Sequence, residues 1–296
     1  WEGWHRQIEP LAAAGYRVIV PDQRGYNRSD APAAVGAYDL EHLTADVRRL
    51  LDAAGRDRAH VVGHDWGAMV AWTLAMTCPW RVRRLGILNV PHPGVFRETL
   101  RADPRQALRS LYALFFQVPR LPEWLLGLGD GQGLALLLRG SARPDTFTAA
   151  DLAAYRRAWR RAGRLRGMLH WYRAAARRGL RGEMIEARVE VPTLVLWGAR
   201  DVALSRRMAA PSAERCRDGR RRNRWGCPRL YRRRQRPDRD RARKRRRRKR
   251  LRARANPRRR PRIGRWRHHN RRSDSAGDDV RRRQRHRQRY RQRSRW

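Results

Sequence analysis

The sequence predicts an α/β architecture: a mostly parallel sheet flanked by helices and interrupted by an all-helical insertion. Three observations carry that expectation. Over residues 1–92, short apolar runs alternate with amphipathic runs, the pattern of strands that each hand over to a covering helix. Over 93–188 the apolar spacing is helical throughout. At 192–197 a compact apolar run returns, so 189–216 read as a continuation of the core and 93–188 as a cap inserted between two strands.

The elements follow in order. Residues 17–21 read as a strand that ends in a polar, Gly-rich loop. Residues 39–54 read as a helix: Leu40, Leu43, Val47, Leu50, Leu51 and Ala54 recur at helical spacing, and Gly55 stops it. Residues 59–63 are a short buried strand, 66–77 a helix ending before Pro79, and 85–90 a further buried strand. Within the insertion, Thr148 and Asp151 have the spacing of a capping box ahead of Leu152, Tyr155 and Trp159. In parallel sheets ligands gather at the carboxyl ends of strands, and Asp65 and His92 both fall just after strands.

The segment Gly63-His64-Asp65-Trp66-Gly67 joins the strand at 59–63 to the helix at 66–77. Glycines on both sides of Asp65 suit a sharp strand-to-helix turn in which larger side chains would not fit. Such a turn lifts its central residue clear of the sheet at a helix N-terminus, where free N–H groups and the helix dipole stabilise negative charge. The raised residue is a carboxylate, which can attack carbon and form an ester with it. Capping of the following helix is the simpler role for the same Asp.

Charge is unevenly spread. The 296 residues carry a net charge of +45, and 217–296 hold 39 of the 72 Lys and Arg but six of the 27 Asp and Glu. That stretch has four aliphatic residues larger than Ala: Leu230, Leu251, Ile263 and Val280. It is too poor in apolar side chains to offset chain entropy, so 217–296 are expected to be a disordered Arg-rich tail. The absence of Lys from 1–216 indicates Arg-favouring codon usage, in which a shifted reading frame near 217–221 would generate such a tail. The runs 241–250 and 281–293 would bind nucleic acid or another polyanion by counterion release, without sequence preference. Cys78, Cys216 and Cys227 make neither a metal-ligand pattern nor a paired framework, which suits a reducing cytoplasm. No metal or cofactor is expected, and no apolar stretch is long enough to span a membrane.

Six stretches, taken in order, resemble the epoxide hydrolase branch of the α/β-hydrolase family. They are Pro21-Asp22-Gln23-Arg24-Gly25-Tyr26-Asn27-Arg28-Ser29-Asp30, Gly63-His64-Asp65-Trp66-Gly67-Ala68, Asn89-Val90-Pro91-His92-Pro93, Phe115-Phe116-Gln117, His170-Trp171-Tyr172-Arg173 and Leu194-Val195-Leu196-Trp197-Gly198-Ala199-Arg200-Asp201. The resemblance implies Asp65 as nucleophile and the Trp66 N–H as half of an oxyanion site. It implies Tyr112 and Tyr172 as cap donors to the epoxide oxygen, and Asp201 as the acid that orients a general-base histidine. His64, His92 and Phe116 would line the site. The substrate would be a small hydrophobic epoxide, and a haloalkane or haloacid dehalogenase of the same fold, with the same nucleophile, is the neighbouring alternative. The family's other oxyanion loop is expected to precede Trp1, and its histidine to follow Asp201 by a few dozen residues. His268 and His269, the nearest candidates, stand in Arg-rich sequence without apolar neighbours, so the chain is expected to lack its general base.

Overall fold

A computed structural model describes residues 1–183 and 185–224. Four parallel strands form one sheet, β1 (Ala59–His64), β2 (Val82–Leu88), β3 (Thr193–Gly198) and β4 (Gly219–Arg224), in the order β1-β2-β3-β4. The register sets Val61 opposite Leu85, Gly86 opposite Leu194 and Thr193 opposite Gly219. Along β3, Thr193, Val195 and Trp197 are buried in alternation, as a pleated strand with one covered face requires.

Helix α1 (His5–Ala13) lies at the surface and buries none of its residues, whereas α2 (Leu40–Ala53) buries Leu43, Thr44 and Leu51. Helix α3 (Trp66–Thr77) is apolar on every side and accordingly sits deep, with Ala68, Val70, Ala71, Trp72, Leu74 and Ala75 all buried. Trp72 donates its indole N–H to the Val90 carbonyl at 3.2 Å, tying α3 to the end of β2. Leu85, Ile87, Val195, Trp197 and Met208 complete this core. Helix α10 (Ala209–Glu214) closes it, and Gly219 admits the close approach of β4: a Cβ there would stand 1.8 Å from the Ala213 carbonyl oxygen.

Two expectations are corrected. Residues 17–21 are not a strand, because among the described residues they find no backbone ladder partner; pairing is a non-local requirement that an apolar run cannot supply for itself. Conversely, the ordered core does not stop at 217. β4 pairs with β3 through Arg224, because a parallel ladder is built from backbone N–H and C=O groups and tolerates Arg-rich sequence. The remainder of the expected tail, with its basic runs and His268 and His269, lies outside the described residues.

Between β2 and β3, among the described residues, come six helices: α4 (Pro93–Ala102), α5 (Pro104–Arg109), α6 (Tyr112–Phe115), α7 (Leu121–Gly140), α8 (Ala149–Trp159) and α9 (Arg164–Leu180). The capping box of α8 is formed in both directions, Thr148 N–H to Asp151 at 2.9 Å and Asp151 N–H to Thr148 Oγ1 at 3.1 Å. α9 is the helix fastened to the core loop at 24–38. Trp171 donates to the Arg24 carbonyl at 3.0 Å, Arg164 to the Asn27 carbonyl at 2.5 Å and His170 Nε2 to the Ala33 carbonyl at 3.0 Å. Gly167 and Gly25 meet backbone to backbone there, where a Cβ at Gly167 would lie 2.8 Å from Gly25 Cα.

Candidate active site

Asp65 stands at the carboxyl end of β1 with φ 51° and ψ −130°, a backbone that non-glycine residues rarely adopt. The turn leaves no room at its first glycine: a Cβ on Gly63 would meet Gly67 O at 2.5 Å and Ala68 Cα at 2.6 Å. Helix α3 starts at the next residue, and the Asp65 side chain makes no capping bond to it. The carboxylate is therefore presented rather than spent on the helix end. The residue is exposed to solvent, yet protein closely surrounds its carboxyl group. That enclosure lifts it above the ordinary carboxylate range, and the Asp201 charge lifts it further, while the His64 side chain and the Trp66 N–H pull the other way.

Asp201 lies just past the carboxyl end of β3. Its Oδ1 accepts the N–H groups of Ala203 at 2.9 Å and Leu204 at 2.8 Å, and its Oδ2 accepts from the Asn89 side chain. Asn89, held at φ 59° beyond β2, also accepts the Gly198 N–H at 3.1 Å. From the cap, Gln106 donates to the Ala203 carbonyl at 2.9 Å and accepts from Ser205 N–H at 2.9 Å. The acid loop is thus pinned from two directions.

The cap brings two tyrosines to the elbow beside Trp66. Tyr172 on α9 has its ring 4.8 Å from that of Trp66, 4.9 Å from Phe116 and 5.9 Å from Tyr112. Tyr112 and Phe116 are 5.5 Å apart. Burial and then the Asp65 charge push the Tyr172 phenol far above its ordinary value, and the same two causes in the same order raise Tyr112. Both phenols therefore stay protonated as donors. Tyr26, which the sequence reading left without a role, is a third phenol, half-buried, raised first by desolvation and then by the Asp65 charge.

The remaining histidines divide. His64 is exposed and close enough for its charge to act on Asp65. His92, expected to line the site, is instead packed in the core. Fully buried 5.5 Å from Trp72, it donates from Nε2 to the Ala187 carbonyl at 3.1 Å and accepts the Gly94 N–H on Nδ1 at 3.2 Å. Both ring nitrogens are committed, so its place is in the core. Among the described residues no histidine is hydrogen-bonded to Asp201, and no cluster of His, Cys, Asp or Glu could hold a metal ion.

A strained Asp at a glycine-flanked elbow, with an acid two strands along the same sheet edge, is the arrangement that a family comparison can decide. The family model of the alpha/beta hydrolase fold matches residues 1–224. This chain belongs to the α/β-hydrolase fold family. The hydrolase is 42% identical over 219 residues to the AB hydrolase superfamily protein YfhM of Bacillus subtilis, covering 74% of this chain and 76% of that protein. It is 36% identical over 215 residues to epoxide hydrolase 4 of Mus musculus, covering 71% of this chain and 58% of the mouse protein. The chain therefore spans little more than half of that mammalian relative. The crystal structure of Bacillus megaterium epoxide hydrolase in complex with an inhibitor superposes with a TM-score of 0.68 at 27% identity, over 74% of this chain and 79% of that one. These likenesses put the hydrolase in the epoxide hydrolase branch.

Besides Tyr26, the sequence reading gave no role to Asn89, Gln106 and Arg173, polar residues near the site. Asn89 and Arg173 lie inside the resembling stretches, whereas Gln106 carries no sequence signal.

Proposed function

We propose that this hydrolase opens small hydrophobic epoxides, with Asp65 as the attacking group. One carboxylate oxygen bonds to a ring carbon, the carbon–oxygen bond of the ring breaks, and the released electron pair goes to the epoxide oxygen. Tyr112 and Tyr172 donate to that oxygen as its charge develops, and one of them supplies its proton. The Trp66 N–H, at the start of α3, serves as an oxyanion donor when the resulting ester is attacked. Asp201 is the acid that would orient a histidine base for that second step. With no histidine beside Asp201 among the described residues, turnover is expected to stall at the ester.

The observation that carries this reading is the placement of both cap phenols at the elbow: the Tyr172 ring lies 4.8 Å from that of Trp66, the residue after Asp65, and 5.9 Å from that of Tyr112. Ring opening leaves an alkoxide on the bound substrate that must gain a proton, which a protonated phenol can supply, whereas a displaced halide leaves as an anion and needs none. The names of the relatives, epoxide hydrolases in mouse and Bacillus megaterium, support the same substrate class.

Two assays on the full chain test the reaction class: loss of an aryl epoxide such as styrene oxide, and bromide release from a bromoalkane. Epoxide loss that scales with protein and vanishes in Asp65→Asn supports the proposal. Bromide release with no epoxide loss overturns it in favour of dehalogenation.

A further inference from the structure

Arg173 follows Tyr172 on α9, and each of the five N–H bonds of its guanidinium has an acceptor. Nε donates to the Phe116 carbonyl at 3.0 Å and Nη2 to the Val118 carbonyl at 2.8 Å. Nη1 and Nη2 grip the two oxygens of Glu123 at 2.6 Å and 3.1 Å. The last donor, on Nη1, faces His170 Nδ1 at 3.4 Å, and the opposite nitrogen of that ring holds the Ala33 carbonyl. The Arg173 side chain is only 11% exposed. A bidentate carboxylate at one side orients the fork, so the other side can hold two backbone carbonyls two residues apart.

What this fork holds is the chain that carries Tyr112. α6 is a single turn, Tyr112–Phe115, and Tyr112 itself is 45% exposed, so its own packing fixes it weakly. The segment 116–118, gripped by Arg173, is the direct continuation of that turn. Gln117 reinforces the joint by donating to the Ala113 carbonyl at 2.8 Å. Tyr172 needs no such help, because its helix is already bound to the core loop through Trp171, Arg164 and His170.

We propose that Arg173 is the positioning residue of the tyrosine pair: it ties the turn bearing Tyr112 to the helix bearing Tyr172 and so sets where the two hydroxyls meet. Its consequence for catalysis rests on the epoxide reading, but the positioning itself does not. Glu123 is the anchor of the fork rather than a participant in the chemistry.

The test uses Arg173→Lys in the full chain. Lysine keeps the ion pair with Glu123 but cannot also hold Phe116 and Val118 from a fixed plane, so the fold is retained while the clamp is lost. 3-Fluorotyrosine placed at position 112 gives one fluorine resonance that reports the contact with Phe116 and Tyr172. The resonance should shift or broaden in Arg173→Lys and stay in place in Arg177→Lys, an exposed arginine on the same helix. An unchanged resonance overturns the proposal whether or not epoxides react. If wild type consumes styrene oxide, a second readout applies. Displacing a donor by about 1 Å costs on the order of 100-fold, so Arg173→Lys should slow ring opening by that factor and add almost nothing in a Tyr112→Phe background. Fully multiplicative losses would mark Arg173 as a general stabiliser and sink the idea. If wild type consumes no epoxide, the epoxide reading has failed and the fluorine result alone decides the clamp.

Discussion

Replacing Gly63 with Ala tests the geometry on which the site is built. The added methyl would lie 2.5 Å from Gly67 O, 2.6 Å from Ala68 Cα and 2.7 Å from Ala68 N. All three are backbone atoms at the start of α3, so no flexible side chain can yield. The turn has already placed Asp65 at φ 51°, and shifting α3 would disturb Trp72 and the core beneath it. Overpacking of this kind costs about 1–3 kcal/mol, and three backbone clashes argue for the upper end. At roughly 2–4 °C per kcal/mol for a chain of this size, the melting midpoint should fall by about 6–12 °C. Gly67→Ala is the control. Its Cβ would meet only the end of the Gln23 side chain, at 3.2 Å, and alanine is the better helix former, so its midpoint should hold or rise. Thermal melts followed by far-ultraviolet circular dichroism read both. Equal behaviour of the two variants, or no loss in Gly63→Ala, would refute the close-packed elbow.

Further outcomes follow from buried polar groups. Burial holds both His92 and His170 below their ordinary pKa of 6.5, so each is neutral when folded but charges more readily when unfolded. Their contribution is complete above pH 6.5 and is lost as pH falls below it, so urea midpoints should drop between pH about 7.5 and about 5.5, less so in His92→Gln. A midpoint that rises on acidification would contradict the assignment. Trp72→Ala should cost about 3–5 kcal/mol by denaturant unfolding, since it empties a fully buried site and orphans the Val90 carbonyl; a loss under about 1 kcal/mol would not fit. Asn89→Gly keeps the positive φ but frees both Asp201 Oδ2 and the Gly198 N–H, for an expected loss of about 1–3 kcal/mol. Tyr172→Phe should slow epoxide loss by roughly 100- to 1,000-fold, and a rate equal to wild type would remove Tyr172 from the reaction.

Local features were readable before the structure. Gly63 announced the elbow because the constraint on a tight turn is local, whereas Gly67 has room for a Cβ beside the end of the Gln23 side chain and was not needed; the capping box of α8 was visible for the same local reason. Features that join distant segments were not. Asn89 and Asp201 are 112 positions apart, and no spacing rule links an amide after one strand to an acid after another. Gln106 reaches Ala203 across 97 positions. His92 looked like a site residue beside a strand end, but whether its ring turns to the site or to the core depends on Ala187, a residue from the far side of the cap. The same division explains the two strand errors. An apolar run at 17–21 says nothing of whether a partner stands beside it, and the Arg-rich run at 219–224 says nothing against one, since the ladder is a backbone property.

The central claim, that Asp65 is the attacking group, is tested most directly by weighing the protein. After incubation of the full chain with styrene oxide, intact mass and peptide mapping should show a gain of one substrate mass on the peptide carrying Asp65, and none in Asp65→Asn. A gain on another residue that persists in Asp65→Asn, or epoxide loss from the wild type with neither diol nor any adduct at Asp65, would contradict the account.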